Sequence, residues 1–160
     1  MARGKSAAAA VAIEVRDLRR ADLDDVVRID ALHTGERKIE YWQRVFRDFL
    51  EPGGHGRVGL AAHAEGRLIG YLVGEVRAFE FGSEACGWIF AVGVDPDEAR
   101  RGVASALLGE ACLRFRQAGV ARVRTMVRRN AVEVLSFFRA NRFRGGSFVQ
   151  LERELDEENP

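Results

Sequence analysis

The stretch Ala91–Leu108, AVGVDPDEARRGVASALL, predicts a buried strand, a turn and then a helix that opens on a glycine. The segment Val92–Val94 is apolar, and Asp95-Pro96 ends the strand because proline has no backbone N–H to give to a ladder. An amphipathic helix is then predicted to start near Arg100 and to end at about Gln117. The other elements of the chain are ordered around this strand–turn–helix unit.

The first turn of this helix has the composition of an anion site. It contains Arg100, Arg101, Gly102, Val103 and Ala104, so small residues leave the main-chain amides open beside two guanidinium groups. Free amides and the positive end of a helix favour a phosphate by about 0.3–1 kcal/mol, and each arginine can add a charge-assisted hydrogen bond. Close packing of a helix on a strand would explain the same small residues, so both interpretations stay open at this point.

Hydrophobic periodicity predicts the remaining elements in chain order. They are a strand at Val11–Arg16, a helix from Leu23 that breaks at His33-Thr34-Gly35, a helix at about Lys38–Leu50, strands at Val58–Ala62 and Leu68–Val76 around a Glu65-Gly66 turn, a strand at Cys86–Val94, a strand at Val120–Val127, a helix at about Ala131–Ala140 and a last strand through Phe148, Val149 and Leu151. A strand–helix–strand unit makes a parallel pair, whereas hairpins are antiparallel. We therefore expect an α/β (α+β) fold, with a mixed, mostly antiparallel sheet of six to seven strands flanked by about four helices.

Length, composition and charge limit the possible domain organisation and the kinds of binding partner. The chain has 160 residues and is 47% hydrophobic, which suits a single domain over residues 11–160 after a flexible tail at residues 1–10. The 25 basic and 24 acidic residues are interspersed and leave a net charge of +1, which argues against a nucleic-acid-binding face. No run of about 18 apolar residues could cross a bilayer, and the apolar run near the N-terminus is too short for an export signal.

Cysteine and histidine content bears on compartment and metal chemistry. Cys86 and Cys112 have apolar surroundings without a secretory signal, so reduced thiols in the cytoplasm are favoured over a disulfide. His33, His55 and His63 are scattered, and no cysteine or carboxylate joins them at ligand spacing. We therefore expect no metal site.

The turn and the order of elements together resemble the GNAT superfamily of acyl-CoA-dependent N-acyltransferases, over nearly the whole chain. Motif A of that family reads Arg/Gln-x-x-Gly-x-Gly/Ala after a strand; Gly102-Val103-Ala104 fits its second half, while Ala99 stands at its first position. The resemblance implies acetyl-CoA as cosubstrate, with the pyrophosphate on main-chain amides of this turn. It also implies that the acyl-pantetheine arm lies between two splayed strands, held by main-chain groups near Val92–Val94.

A second motif of the family is matched near the C-terminus. Asn130, Phe137, Phe138, Asn141 and Phe143 resemble motif B, which usually reads Asn, then Tyr, then Gly-Phe. Phe138 stands where many relatives have a tyrosine thought to protonate the departing thiolate. Asn130 would contact pantetheine or, alternatively, cap its helix.

Together the two motifs imply one set of cofactor-binding residues. The set is Val92, Gly93, Val94, Arg100, Arg101, Gly102, Val103, Ala104, Ser105, Asn130 and Phe138. The Ser105 hydroxyl would join the phosphate site or bond back along its own helix.

The general base is predicted from the geometry of a hairpin. Many relatives place a glutamate on the fourth strand, but Cys86–Phe90 contains no acid. If the hairpin folds symmetrically about Phe81-Gly82, Glu75 falls opposite Trp88 and on the same face, at the end of an apolar row. We therefore predict that Glu75, directly or through water, deprotonates the amine. Two alternatives remain, namely that Glu84 is the base, or that Glu75 is an exposed charge paired with an arginine such as Arg77.

The expected activity is transfer of an acetyl group from acetyl-CoA to a primary amine. No nucleophile has a neighbouring base, which favours direct attack by the amine over an acyl-enzyme. Arg101–Ala104, Phe137-Phe138 and Leu151–Arg153 are similar to small bacterial protein-lysine acetyltransferases, so a protein lysine is the first acceptor to consider, and a homodimer is compatible with this view. In relatives the segment containing His33 and Glu40 lines the substrate mouth, although a solvated loop explains these residues as well.

Two other functions remain open from the sequence. One is a small-molecule amine or antibiotic acetyltransferase. The other is a non-catalytic acyl-CoA-binding regulatory module that has lost its base. Turnover of acetyl-CoA with proteins or with small amines separates these functions.

Overall fold

The computed structural model describes residues 11–50 and 55–155. The tail predicted at residues 1–10 lies outside the described residues. Two compact units are present, Met1–Met126 and Val127–Pro160. The expectation of a single domain over residues 11–160 stays a prediction.

The first unit contains a sheet and three α-helices, which follow the predicted order. Its elements are β1 (Glu14–Asp17), α1 (Leu23–Thr34), α2 (Ile39–Leu50), β2 (Arg57–Ala64), β3 (Arg67–Arg77), β4 (Cys86–Val94), α3 (Val103–Gln117) and β5 (Val123–Thr125), with short 3-10 turns at Arg20–Asp22, Glu80–Gly82 and Pro96–Glu98. The strands lie in the order β1-β2-β3-β4-β5. The pairs from β1 to β4 are antiparallel and β4–β5 is parallel. The mixed, mostly antiparallel sheet is therefore confirmed.

The strand count is lower than predicted. The sheet has five strands in the described part of the chain, not six to seven. The predicted last strand does not form at Phe148–Leu151, and these side chains are exposed. A strand needs a neighbouring backbone for its ladder, and the described residues of the second unit include no other strand. The fifth strand is also shorter than the predicted Val120–Val127.

The second unit contains one helix in its described part, α4 (Val132–Ala140). Its prediction at about 131–140 is confirmed to within one residue. An aromatic cluster accompanies it: the ring of Phe138 lies edge-on to Phe137 at 5.1 Å and to Phe143 at 5.0 Å.

Helices pack on both faces of the sheet of the first unit. On one face, α1 and α2 form a core cluster with Tyr71 and Val73 of β3, in which the rings of Trp42 and Tyr71 meet edge-on at 5.1 Å. On the other face lies α3, and a Cβ at Gly87 would lie only 2.6 Å from the Phe115 ring. Glycine at this strand position is therefore what allows the helix to approach the sheet.

A β-bulge in β4 changes which groups face which way. Val73 pairs with Ala91 and Gly74 with Ile89, so Phe90 is an extra residue on β4. Phe90 and Ala91 both pack against the core cluster beneath α1 and α2. The bulge shifts the alternation of main-chain groups along the rest of β4. This shift determines which N–H and C=O groups of β4 face away from β3, at the candidate functional site.

Candidate functional site

One edge of β4 is unpaired beyond the bulge. Strand β5 pairs only with Gly87–Ile89, and the Thr125 hydroxyl donates to the Ile89 carbonyl at 3.0 Å where the pairing ends. No other strand in the described part of the chain joins this side of β4. The segment Phe90–Val94 therefore has strand neighbours on its β3 side alone.

Alternation along β4 decides which main-chain groups face this edge. The Asp95 N–H donates to the Ile69 carbonyl of β3 at 2.8 Å. Since N–H and C=O of one residue point the same way in a strand, those of Gly93 also face β3, whereas those of Val92 and Val94 face the free edge. The edge thus offers two N–H and two C=O groups, which is the pattern that binds an extended amide chain.

Gly93 has a different part in the site from the one predicted. Its main-chain groups are directed at its partner Tyr71, so it is not placed to donate to a ligand on the edge. A Cβ at Gly93 would lie 2.7 Å from the Tyr71 ring. Glycine is needed here to admit that ring, which is buried, and burial raises the pKa of the Tyr71 phenol.

One carbonyl of the free edge already has a partner. The Nε2–H of His33, in the last turn of α1, donates to the Val94 carbonyl at 2.6 Å. His33 and Val94 are 61 positions apart in the chain, so no local sequence pattern predicts this contact. His33 is exposed and lies at the edge that the sequence assigned to the cofactor.

The turn after β4 leaves open amides at the start of α3. Gly102 caps the helix with φ 80°, and the first helical hydrogen bond runs from the Ala106 N–H to the Gly102 carbonyl at 2.9 Å. The N–H groups of Val103, Ala104 and Ser105 come before that bond, so they have no partner within the helix. A Cβ added at Gly102 would meet nothing within 4 Å. The backbone at the start of α3 is therefore open on the Gly102 side.

The helix begins three residues later than predicted because two residues before it are left-handed. Arg100 has φ 63° and Gly102 has φ 80°. Such values are common for glycine but strained for arginine. The residues Arg100–Gly102 therefore form a tight turn instead of the first turn of α3.

The two arginines of this turn differ in their contacts. Arg101 forms an ion pair with Glu98, so its charge is partly neutralised within the protein. Arg100 is exposed and makes no ion pair with another described residue. Ser105 is also exposed, and its hydroxyl makes no hydrogen bond within the described ranges. Arg100 is thus the guanidinium that remains available to an anion.

Two buried acids hold the turn, and the sequence analysis missed both. Asp95 accepts from the Asp97 N–H at 3.1 Å, from Arg28 at 2.8 Å and from Arg67 at 3.2 Å. Glu98 accepts from Arg67 at 2.7 Å, so Arg67 links the two carboxylates. An acid directly before proline at a turn is a capping signal in the sequence, but its arginine partners are distant along the chain.

The environment of Asp95 favours its ionised form. Burial by itself raises the pKa of this carboxyl, and the hydrogen bonds from Arg28 and the Asp97 amide, together with the charges of Arg28 and Arg67, lower it by more. The net result is a pKa below the ordinary aspartate value. Asp95 therefore stays charged and keeps the turn in place at neutral pH.

Glu75 lies where the hairpin symmetry predicted. It pairs directly with Trp88, next to the β4 bulge, which confirms the register. Its carboxylate accepts from Arg77 Nε at 3.1 Å, and the Arg77 guanidinium lies 4.8 Å from the centre of the Trp88 ring. One third of the Glu75 side chain is exposed. Glu84, by contrast, is 82% exposed and lies 3.4 Å from Arg122.

The remaining predicted site residues, Asn130 and Phe138, belong to the second unit. Asn130 is exposed and precedes the N-cap, which is Ala131 and has no side-chain cap hydrogen bond. The alternative in which Asn130 caps α4 is therefore wrong, because the helix starts one residue too late for it. Phe138 is buried among the aromatic rings described above. Contacts of both residues with a cofactor stay predictions.

Other features bear on the chemistry that the chain can carry. In the described ranges, no three His, Cys, Asp or Glu side chains form a group that could hold a metal ion. Cys86 and Cys112 are free thiols, and burial raises the pKa of Cys112. Of the helices that the structure describes, none combines the length and the apolar character needed to cross a membrane.

Comparison with protein families and curated proteins gives one match and one negative result. A sequence model of the acetyltransferase (GNAT) family matches residues 15–142. No curated protein matches the chain significantly.

Solved structures with the same fold include acetyltransferases. The chain is similar to the aminoglycoside N-acetyltransferase AAC(6')-Iy in complex with CoA, with a TM-score of 0.77, 14% identity and coverage of 90% of this chain and 95% of that one. It is similar to the aminoglycoside 6'-N-acetyltransferase AAC(6')-IG from Acinetobacter haemolyticus, with a TM-score of 0.71, 18% identity and coverage of 89% and 99%. A transcriptional regulator from Bacillus halodurans C-125 gives a TM-score of 0.76, 16% identity and coverage of 90% and 100%. At such identities the likeness supports the fold alone.

The buried carboxylate at the turn gives a prediction for stability. Asp95→Asn is expected to lower the free energy of unfolding by about 2 kcal/mol at pH 7, because it weakens the charge-assisted hydrogen bonds from two half-exposed arginines. Since the pKa of Asp95 is lower in the folded than in the unfolded chain, its contribution is present above about pH 4 and is lost as the pH falls through the folded-state pKa. Urea denaturation at pH 7 and at about pH 2 measures the difference, which should shrink at the lower pH.

The control for this prediction is Asp97→Asn, because Asp97 is exposed and contributes its amide to the turn instead of its carboxylate. It should stay within about 0.5 kcal/mol of the parent. Equal stability of the two variants at pH 7 would contradict the role given to Asp95.

Proposed function

The chain belongs to the acetyltransferase (GNAT) family, and from this premise we propose that it transfers the acetyl group of acetyl-CoA to the side-chain amine of a protein lysine. Acetyl-CoA is the cosubstrate of the family. One observation carries the proposal: a free strand edge, Val92–Val94, leads directly into a turn whose amides at Val103–Ser105 are open. A cytoplasmic location and a homodimer stay predictions.

The edge and the turn fit the two chemically different parts of CoA. The diphosphate would lie on the N–H groups of Val103, Ala104 and Ser105, beside the Arg100 guanidinium. The pantetheine arm carries secondary amides, and it would pair with the main-chain groups of Val92 and Val94 as an added strand does. Arg101 would act mainly through Glu98, by keeping the turn in shape.

Deprotonation of the amine is the demanding step that the protein must assist. A lysine amine has a pKa of about 10.4, so freeing its lone pair at neutral pH costs about three units, or ~4 kcal/mol. We propose that the Glu75 carboxylate accepts this proton, directly or through water, while the amine attacks the thioester carbonyl. Arg77 donates to Oε1 of this carboxylate, so Oε2 is the oxygen that would take the proton.

The leaving thiolate needs less help than the amine. A thiol has a pKa of about 8.5, so its anion departs near neutral pH with only ~1–2 kcal/mol of missing assistance. The Phe138 side chain has no acidic proton to donate to the thiolate. Because the thiolate needs little help, such a residue can be tolerated at position 138. The acyl group passes directly from sulfur to nitrogen, and the proton ends on the base.

Accessibility of the proposed base supports a large acceptor. One third of the Glu75 side chain is exposed, and Arg77 beside it is exposed to the same degree. A walled pocket for a small amine would bury such an acid, whereas a lysine on another protein needs an open approach. The second candidate is a small-molecule amine, because two of the structurally similar proteins are aminoglycoside acetyltransferases.

Turnover measurements separate these acceptors. We expect release of the CoA thiol from acetyl-CoA when the acceptor is a peptide with a blocked N-terminal amine and one internal lysine. The kcat/KM for this peptide should be higher than that for an aminoglycoside. The same peptide with arginine at that position is the control and should give no release. Turnover with the aminoglycoside alone would favour the second candidate, and CoA binding without turnover of any amine would favour a non-catalytic module.

The phosphate site is tested by adding a negative charge to the first turn of α3. Ser105→Glu is expected to weaken CoA binding about tenfold, because a carboxylate would lie close to the bound phosphates. It should leave the fold at least as stable, since acids are favoured at a helix N-terminus. Ser105→Gln is the matched neutral control, with affinity near that of the parent. If calorimetry shows the same CoA affinity for Ser105→Glu and Ser105→Gln, the diphosphate does not bind at this turn.

The proposed base is tested by removing its charge. Glu75→Gln is expected to lower kcat about a hundredfold, because a positioned base contributes about 10²–10⁴. The affinity for CoA should not change. Glu84→Gln is the control, since Glu84 is another acid of this hairpin and is far more exposed. An unchanged rate in Glu75→Gln would exclude this residue as the base.

A further inference from the structure

We propose that His33 occupies the cofactor edge of the free protein and that acyl-CoA displaces it. The imidazole N–H of His33 is hydrogen-bonded to the Val94 carbonyl, one of the two carbonyls on the free edge of β4. This inference rests on the proposed function, because it requires the pantetheine arm to use that edge. In the free protein, the Val94 carbonyl of the cofactor site therefore has a hydrogen-bond partner within the chain, which it keeps until the cofactor binds.

The identity of the donor follows from the chemistry of the two groups. A carbonyl oxygen only accepts, so the 2.6 Å contact requires the proton on Nε2 of His33. The same contact forms whether the ring is neutral with that tautomer or protonated. The displacement therefore does not depend on a change of protonation state.

The local backbone holds the imidazole at this place. His33 is in the last turn of α1, which ends at Thr34 and is closed by Gly35 with φ 77°. The Gly35 N–H donates to the Ala31 carbonyl at 2.8 Å, as in a left-handed helix cap. The helix end is thus well defined, and the His33 side chain extends from it to β4.

Competition follows from the position of the shared oxygen. An added strand approaches β4 along the direction in which the Val92 and Val94 carbonyls point. An amide of that strand would need its nitrogen about 2.9 Å from the Val94 oxygen, and a ring nitrogen already lies within that distance. The ring and the arm would then crowd one oxygen, and the ring can move away because His33 is exposed.

Affinity for CoA is the first test. Because a hydrogen bond must be broken before the arm pairs, His33→Ala should bind CoA roughly two- to tenfold more tightly than the parent in calorimetry on the full chain. His33→Gln keeps an N–H donor of similar reach and should bind CoA like the parent. Leu32→Ala is the control for altering the exposed end of α1, because Leu32 is 56% exposed, and its affinity should not change.

The imidazole itself provides a second test that needs no substitution. In the parent protein, the NMR resonance of the His33 Nε2 should shift when CoA is added, and it should keep its position when adenosine 3',5'-bisphosphate, which lacks the pantetheine arm, is added instead. CoA binding to the parent with an unmoved His33 resonance would overturn the inference. So would an equal or weaker affinity of His33→Ala, the result expected if His33 merely supports the edge.

These outcomes are distinguishable from failure of the proposed function. If the parent protein does not bind CoA at all, the proposed function fails and the inference fails with it. If the parent binds CoA and Ser105→Glu weakens that binding, whereas His33→Ala does not strengthen it, the inference alone fails.

Discussion

A β-strand has hydrogen-bonding groups along both edges, and among the residues that the structure describes β4 has a neighbouring strand along just one edge beyond Ile89. The condition arises from two features that act together, the early end of β5 at Thr125 and the extra residue Phe90. The first removes the neighbour, and the second sets which residues face the gap. Unpaired main-chain groups need a hydrogen-bond partner, from water or from a ligand. The candidate functional site of this chain is built on that one deficiency.

The turn that continues the edge is held in part by charged side chains. Asp95 and Glu98 are buried carboxylates that share Arg67, and Arg28 adds a second cation from α1. Arg100, in the same turn, has a backbone conformation that arginine disfavours. A polar support of this kind fixes the turn from within, while the space at Gly102 stays open. The arrangement therefore separates the residues that shape the site from those that would touch a ligand.

Much of the fold could be predicted from the sequence, because it depends on local pattern. The apolar periods gave α1, α2 and the β2–β3 hairpin, and the symmetry about Phe81-Gly82 placed Glu75 opposite Trp88. The Asp95-Pro96 stop and the glycine at position 102 located the turn. These features are determined by neighbours within a few residues, where backbone preferences and side-chain alternation are reliable guides.

What the sequence could not show depends on contacts between distant residues. Arg28 and Asp95 are 67 positions apart in the chain, and His33 and Val94 are 61 apart, and no spacing rule relates such residues. The bulge at Phe90 could not be predicted from the sequence either, since one inserted residue leaves the apolar pattern of a buried strand intact. The strand predicted at Phe148–Leu151 does not form, for the opposite reason. Its sequence pattern suits a strand, but a pattern alone does not provide a neighbouring strand to pair with.

The contact between α3 and the sheet limits how this protein can change over evolutionary time. The Phe115 ring fills the space that a side chain at Gly87 would occupy, whereas a Cβ at Gly74 would also lie 2.7 Å from the Trp88 main-chain oxygen. Enlarging Gly87 therefore requires a smaller residue at position 115, and shrinking the ring leaves a void that a larger residue at position 87 can fill. Positions 87 and 115 should therefore vary jointly among descendants of this sequence, whereas exposed α3 positions such as Arg116 and Gln117 drift independently of them.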